Sequence, residues 1–405
     1  MRVEGAGRLV RRRRVFYVPG YDPVHARRYR ELYRREAAEQ ARISGYRIEL
    51  SARTGGPIFG WHVMAEMDGA TVRTDVEVLV WSDLVRASMS GSVPATYLQM
   101  IRTVGIYVGT GAFARLARLR KGPVIAALYP VLVLVLQLGL AATVGWLLAL
   151  AVIAFLGGVV GTVPAAALAC GSVVIILRWF RARDGTFFAY YLMHDFAYST
   201  QGLGADPPEL EARIAVFAER IGAALQDDVD EVLVVGHSSG VHVAVSVLAQ
   251  VAAQGRAPAL GFLSLGQVVP MVSFLPGARR LRRDLRVLST REDLTWVDVS
   301  APGDGCSFAL CDPVAVSGVA PPGKRWPLVI SAAFTQTLSE QRWSELRWRF
   351  FRLHFQYLCA FDRPGVYDYF RITAGPETLR ERFAGRSSSA SRIDVPVSGY
   401  TSVAP

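Results

Sequence analysis

Lysine is nearly missing from this chain. Its 405 residues hold 45 basic side chains and a net charge of +11, yet only Lys121 and Lys324 are lysines. Such a bias reflects genome composition as readily as function. No nucleic-acid recognition motif accompanies the charge, so nucleic acid is not an expected partner; a basic surface suits an anionic cytoplasmic leaflet. Cysteine is scarce too. Cys170, Cys306, Cys311 and Cys359 show no metal-ligand spacing, and reduced thiols in a cytoplasmic compartment are the simplest account. There is no His/Cys/carboxylate cluster in sequence and no glycine-rich phosphate loop. Neither a metal nor another cofactor is therefore expected. After Arg11–Arg14 only a short apolar run precedes Pro19. That is not the core of a signal peptide, and the N-terminus is expected to stay in the cytoplasm.

The largest absence is of charge. From Gly122 to Leu177, 56 residues contain no Asp, Glu, Lys, Arg or His. As helix they would extend roughly 84 Å, and one crossing of a bilayer takes about 20 residues. The stretch is too long for one span and suits two with a short turn. Arg115, Arg118, Arg120 and Lys121 precede it, and Arg178, Arg181 and Arg183 follow it. Positive charge on both sides places both ends in the cytoplasm, as expected of an integral membrane protein of the inner or plasma membrane. The turn falls near Gly145 or near Gly157. Gly157 to Gly161 is a Gly-x-x-x-Gly, a weak signal for pairing of spans.

What remains reads as one interrupted α/β domain. Residues 1–14 form a basic, disordered lead-in and 15–120 the first part of the domain. The membrane hairpin occupies 121–178, and 179–383 make the second part. Residues 384–405, rich in Ser with Arg and Pro, are expected to be a disordered tail. Strands are expected at Val15–Val18, Tyr46–Ser51, Phe59–Glu66, Thr71–Trp81, Val232–Val235, Leu260–Leu265 and Leu294–Val299, with a turn at Asp68-Gly69. Helices are expected from about Val24 to Ala41, over much of 84–120, from Glu209 to Gln226, from Arg279 to Leu288, and over part of Trp343–Leu358. Strands alternating with helices around residue 238 argue for a mainly parallel sheet flanked by helices.

The chemistry centres on Val234-Val-Gly-His-Ser-Ser-Gly240. A β-branched run enters Gly236-His237-Ser238-Ser239-Gly240, and a helically spaced apolar stretch follows. This is the G-x-S-x-G pattern, which holds a serine on a sharp strand-to-helix turn; the glycines sit where a Cβ would clash. A nucleophilic serine needs a base, a residue to orient it, and oxyanion donors. Of the two histidines after Ser238, His242 lies along the helix behind the turn, which leaves His354 as general base. Asp304, in the Pro/Gly loop after the strand 294–299, is the candidate acid; Asp312 is the runner-up, and Asp298 lies within the strand. The N–H groups of Ser239 and of Tyr21, after Pro19-Gly20, are the candidate oxyanion donors. His237 is read as a structural neighbour, and His194 as a surface or core histidine.

With these residues in view, the chain resembles the α/β-hydrolase superfamily, and within it lipase- and esterase-like serine hydrolases. The resembling pieces are Phe16-Tyr-Val-Pro-Gly-Tyr21, the pentapeptide around Ser238, Leu263-Ser-Leu-Gly-Gln267, and Trp296-Val-Asp-Val-Ser-Ala-Pro-Gly-Asp304. The usual His-Gly after the oxyanion strand is Pro19-Gly20 here, and the two-span insertion lies outside the common pattern. The resemblance implies hydrolysis of an acyl ester through a Ser238–His354–Asp304 triad. The hairpin points to the lipid bilayer as partner and to a lipid or lysolipid as substrate. The rival expectation is a hydrolase-fold membrane scaffold without activity. A transporter component is disfavoured by spans without an ionisable residue.

Overall fold

The computed structural model describes residues 9–53, 59–89, 91–255 and 260–404. Eight strands form one sheet: β1 (Arg12–Val18), β2 (Arg47–Ala52), β3 (Gly60–Met67), β4 (Ala70–Val78), β5 (Glu231–His237), β6 (Leu260–Leu265), β7 (Leu294–Ser300) and β8 (Leu328–Ser331). Their order across the sheet is β2-β3-β4-β1-β5-β6-β7-β8. From β4 to β8 every pairing is parallel. The arm β2–β3–β4 is antiparallel. The sheet is thus mixed, where the sequence suggested a mainly parallel one. The physical reason lies in the turn. Asp68 and Gly69 both have positive φ, 53° and 76°, and a two-residue turn of this kind folds the chain straight back on itself.

Helices cover both faces. In chain order they are α1 (Arg27–Ser44), α2 (Ser82–Ser88), α3 (Val93–Gly109), α4 (Ala112–Leu119), α5 (Lys121–Leu156), α6 (Thr162–Ala182), α7 (Asp184–Phe187), α8 (Ala189–Ser199), α9 (Pro208–Ala224), α10 (Gly240–Ala253), α11 (Pro270–Ser273) and α12 (Arg279–Leu288). Successive strand residues point to opposite faces, as the pleat requires. Phe16, Val18, Val232 and Val234 meet α9, α10 and α12, while Val15, Tyr17, Leu233 and Val235 meet α1 and residues 353–374. Every residue of β5 is buried, which is why its sequence reads as an unbroken apolar run.

The two ends of the chain depart from expectation. Residues 1–8 of the expected disordered lead-in lie outside the described residues, but Arg12–Arg14 already belong to β1. Arg13 is buried, with Nε 2.6 Å from Glu231 Oε2 and its other nitrogens donating to the carbonyls of Gly375 and Glu377. At the other end, residues 384–404 do not form a disordered tail; they run along the body as a strap. Ser389 N–H donates to Val329 O (2.8 Å), Ile393 N–H to Leu310 O (2.7 Å) and Val397 N–H to Val316 O (3.1 Å), while Arg282 Nε donates to Ser402 O (2.9 Å). Composition misleads here because main-chain hydrogen bonding holds the strap.

Two helices are long and apolar enough to cross a membrane, Lys121–Leu156 and Val159–Ala182, with mean hydropathies of 2.4 and 2.2. The turn between them is at Gly157-Gly158, whose φ values are 71° and 46°. Gly145 has another role: a Cβ there would lie 3.0 Å from Ala169 O and 3.2 Å from Ser172 Oγ, so it is where α5 and α6 approach closely. With 36 residues against 21, α5 outruns α6 by about 22 Å at 1.5 Å per residue. The excess packs on the body. Tyr97 donates to Leu134 O (2.9 Å), Tyr129 to Phe187 O (2.7 Å), and a Cβ on Gly122 would come within 3.0 Å of Gly305.

Candidate active site

The candidate residues gather at the carboxyl ends of the parallel strands. Pro19–Tyr21 follow β1, Ser238 follows β5, Gly266 follows β6 and Asp304 follows β7. The chain leaves β1 toward β2–β4 but leaves β5 toward β6–β8. The crevice between β1 and β5 is therefore a switch point, where open α/β sheets place their ligands.

Ser238 has φ 58°, a left-handed conformation that a side chain rarely adopts. Its N–H donates to Leu265 O at 3.0 Å. The glycines around it are sterically required. A Cβ on Gly240 would run into the carbonyl oxygens of Val18 and Pro19, and one on Gly236 would sit 3.0 Å from Val241 Cα. Gly20 faces the turn from the other side: a Cβ there would lie 3.1 Å from Ser238 Cβ and 3.3 Å from Ser239 Oγ.

His354 and Asp304 are brought together although 50 residues apart, with His354 Nδ1 at 2.8 Å from Asp304 Oδ2. Both are buried. Asp304 also accepts from Tyr357 OH (2.9 Å) and from the Cys306 N–H (2.9 Å). Burial pushes its carboxyl up, but the adjacent His354, their hydrogen bond and the Cys306 N–H outweigh this and hold it below the usual carboxylate range. The Tyr357 hydroxyl in turn accepts from the Ala301 N–H (2.9 Å), fixing the loop that presents Asp304.

Among the described residues no hydrogen bond closes between Ser238 Oγ and the His354 ring. The two are nevertheless neighbours. A Cβ on Gly266, the residue after Leu265, would lie 3.1 Å from His354 Cε1. The rings of His237 and His354 are 4.8 Å apart. His237 Nε2–H donates to the His354 carbonyl oxygen at 3.0 Å. Burial, with the His354 charge next, pushes the His237 pKa down to about 3. It stays neutral and pins the segment carrying His354 to the Ser238 turn. His237, read from the sequence as a structural neighbour, and Tyr357, which sequence reasoning did not single out, thus hold the His354–Asp304 pair in place. For Tyr357 the available signal was its place three residues after His354, one helical turn on.

On the oxyanion side, the Ser239 N–H has no acceptor among the described residues. The Tyr21 N–H is occupied, donating to Ser239 Oγ at 2.7 Å. The loop that carries it is held by Trp81 Nε1–H donating to Pro19 O (2.9 Å) and by Tyr29 OH donating to Asp22 (2.6 Å).

The remaining candidates lie elsewhere. Asp312, the runner-up acid, caps Val314 N–H and Ala315 N–H and pairs with Lys324. Asp298 is buried in β7 and accepts from Ser264 Oγ at 2.6 Å. His242 is buried on α10, where burial lowers its pKa to about 4. His194 is buried, with its Cε1 toward Gly91. Asp304, Cys306 and His354 offer atoms within 4.8 Å of one another, a spacing suited to a metal ion. The His354 and Asp304 atoms are already hydrogen-bonded to each other, and burial, then Asp304, pushes the Cys306 thiol well up. Set against protein families, curated proteins and solved structures, the chain gives no match.

Proposed function

We propose that the protein is a membrane-anchored serine hydrolase of the α/β-hydrolase type that cleaves an acyl ester. The observation that carries this reading is the pairing of a strained serine at the β5–α10 turn with a buried His354–Asp304 couple beside it. Ser238 Oγ attacks the acyl carbonyl while His354 Nε2 takes its proton. Asp304 holds the ring through Nδ1 and stabilises the imidazolium. The Ser239 N–H and the Tyr21 N–H, once the latter leaves the Ser239 hydroxyl, hold the oxyanion. His354 then gives the proton to the leaving alcohol. Water, deprotonated by His354, attacks the acyl-enzyme, and the acid departs as Ser238 regains its proton. Hydrogen bonds of this kind are often open without substrate and close when it binds.

The hairpin gives the reading its substrate class. Two apolar helices inserted within the domain hold the site beside a bilayer, and a lipid or lysolipid acyl ester is the compound found there. The arginines at both roots of the hairpin favour the cytoplasmic face. A second reading, a hydrolase-fold scaffold without activity, draws on the open Ser238–His354 pair and the occupied Tyr21 N–H. Labelling with a fluorophosphonate probe in isolated membranes separates the two. The hydrolase reading expects labelling of the wild type that is lost in Ser238→Ala and in His354→Ala. Absence of labelling in folded, inserted wild type would leave the scaffold reading standing.

A further inference from the structure

One carboxylate near the site has no role in that chemistry. Asp195 lies on α8, four residues after Tyr191 and three before Tyr198, so the three share one helix face. That face is turned to the oxyanion loop. Tyr191 OH donates to the carbonyl of Tyr21, and the rings of Tyr191 and Tyr198 lie 6.1 Å and 5.6 Å from the Tyr21 ring. Asp195 is partly accessible to solvent. Among the described residues it has no ion-pair partner, and no group donates a hydrogen bond to its carboxylate. Burial pushes its pKa up to about 7, and His354 pulls in the opposite direction. Its charge is also felt at Tyr21, Tyr107 and Tyr191. Set between Tyr191 and Tyr198 on that face, Asp195 lies beside the oxyanion loop.

The surroundings of this carboxylate define what it can bind. Arg28, the nearby cation on α1, is already paired with Asp22 at 3.3 Å. Aromatic rings lead outward from Tyr191. Phe351 is 6.4 Å from Tyr191, and Phe188, itself exposed, is 5.0 Å from Phe351. Phe188 comes six residues after the end of α6 and so marks the root of the hairpin. An unpaired, partly accessible carboxylate with aromatic side chains beside it on the same helix suits a cation, which the carboxylate attracts and the ring faces tolerate.

We propose that Asp195 is a specificity-determining residue and that the substrate is an acyl ester carrying an ammonium or quaternary ammonium group near the scissile bond. This inference rests on the hydrolase reading for its catalytic part, while binding of the cation does not depend on catalysis.

The test uses the full chain in detergent or nanodiscs and two esters of one acyl group, a choline ester and its neutral 3,3-dimethylbutyl analogue. The wild type is expected to favour the choline ester in kcat/KM by about tenfold or more. Asp195→Asn brings that ratio close to one, and Asp195→Glu keeps its direction. In parallel, tetramethylammonium chloride is titrated against Tyr and Trp fluorescence. Saturable binding weakened in Asp195→Asn, but not by matched sodium chloride, supports the site. Wild type that cleaves both esters equally, or a preference that survives in Asp195→Asn, overturns the proposal with the hydrolase reading intact. Cation binding sensitive to Asp195 in a protein that neither cleaves nor labels would overturn the hydrolase reading and keep the site. Unaffected or absent tetramethylammonium binding counts against the site.

Discussion

On one side of Ser238 three donors converge on the Asp304 carboxylate, from His354, Tyr357 and the Cys306 backbone. On the other side one of the two backbone donors, the Tyr21 N–H, is covered by the hydroxyl of Ser239, while the Ser239 N–H has no acceptor among the described residues. Both flanks are anchored to the sheet, yet only the base flank is assembled without a ligand. On the proposed hydrolase reading, the difference reflects what each flank would have to do. A histidine needs its tautomer fixed before any proton moves. An oxyanion donor is useful only once a carbonyl arrives, and until then a buried N–H without an acceptor is costly. The Ser239 hydroxyl meets that need.

If the base flank is the preorganised one, damage there weighs most. Asp304→Asn should lower kcat by about 10³–10⁴-fold, because the tautomer and the stabilising charge are lost together; turnover of a soluble ester measures it, and a loss of less than about tenfold would show that the His354–Asp304 bond is structural. Tyr357→Phe should cost about 10- to 100-fold, as expected for one hydrogen bond to a charged group. It also leaves the Ala301 N–H unpaired, so a fall in Tm accompanies the rate effect. Ser239→Ala addresses the other flank. Uncovering the Tyr21 N–H should raise kcat/KM by a few-fold, roughly the net worth of one hydrogen bond. A drop of about 10²-fold in that variant would reverse the comparison, since it would make the hydroxyl itself an oxyanion donor.

The smallest effect concerns stability under the base flank. Burial, partly offset by Ser264 and assisted by Asp312, pushes the Asp298 pKa up to about 7. The folded state holds this proton more tightly than the unfolded chain, so the associated stability is full below about pH 4 and declines as pH rises toward 7. Asp298→Asn can still accept from Ser264. Its Tm should be less sensitive to pH across that window and exceed that of the wild type at pH 8. An equal slope in both proteins would show that Asp298 ionises without cost.

The sequence made some of this visible and hid the rest for identifiable reasons. Gly236 and Gly240 were legible because their constraint is local: strand, turn and helix leave no room for a Cβ. His354 and Asp304 were legible by elimination and by position after a strand. The covered Tyr21 N–H was not, because it depends on the rotamer of a serine 218 residues away. The link from His237 to the His354 carbonyl was hidden in the same way, since the position before the nucleophile tolerates many residues. The strand β8 has four residues, too few for a periodic signal. The antiparallel arm could have been read from Asp68-Gly69, whose short turn forbids a parallel return. Asp195 was passed over because its importance comes from what is missing around it, and no residue pattern records a missing partner.

The place of the hairpin in the chain has a consequence for biosynthesis. β1 is flanked in the sheet by β4 and β5, and the β1–β5 contacts join residues 218 apart. The ribosome completes the whole apolar hairpin before it supplies β5. Through that interval β1 has one partner and one open edge, the kind of edge that recruits foreign strands. Closing so long a loop also delays the central pairing relative to the local β3–β4 hairpin. Bringing the hairpin's two ends back together shortens the effective distance between the halves. In this chain the apolar insertion can therefore act first as a folding clamp, before any role it has in holding the finished protein in place.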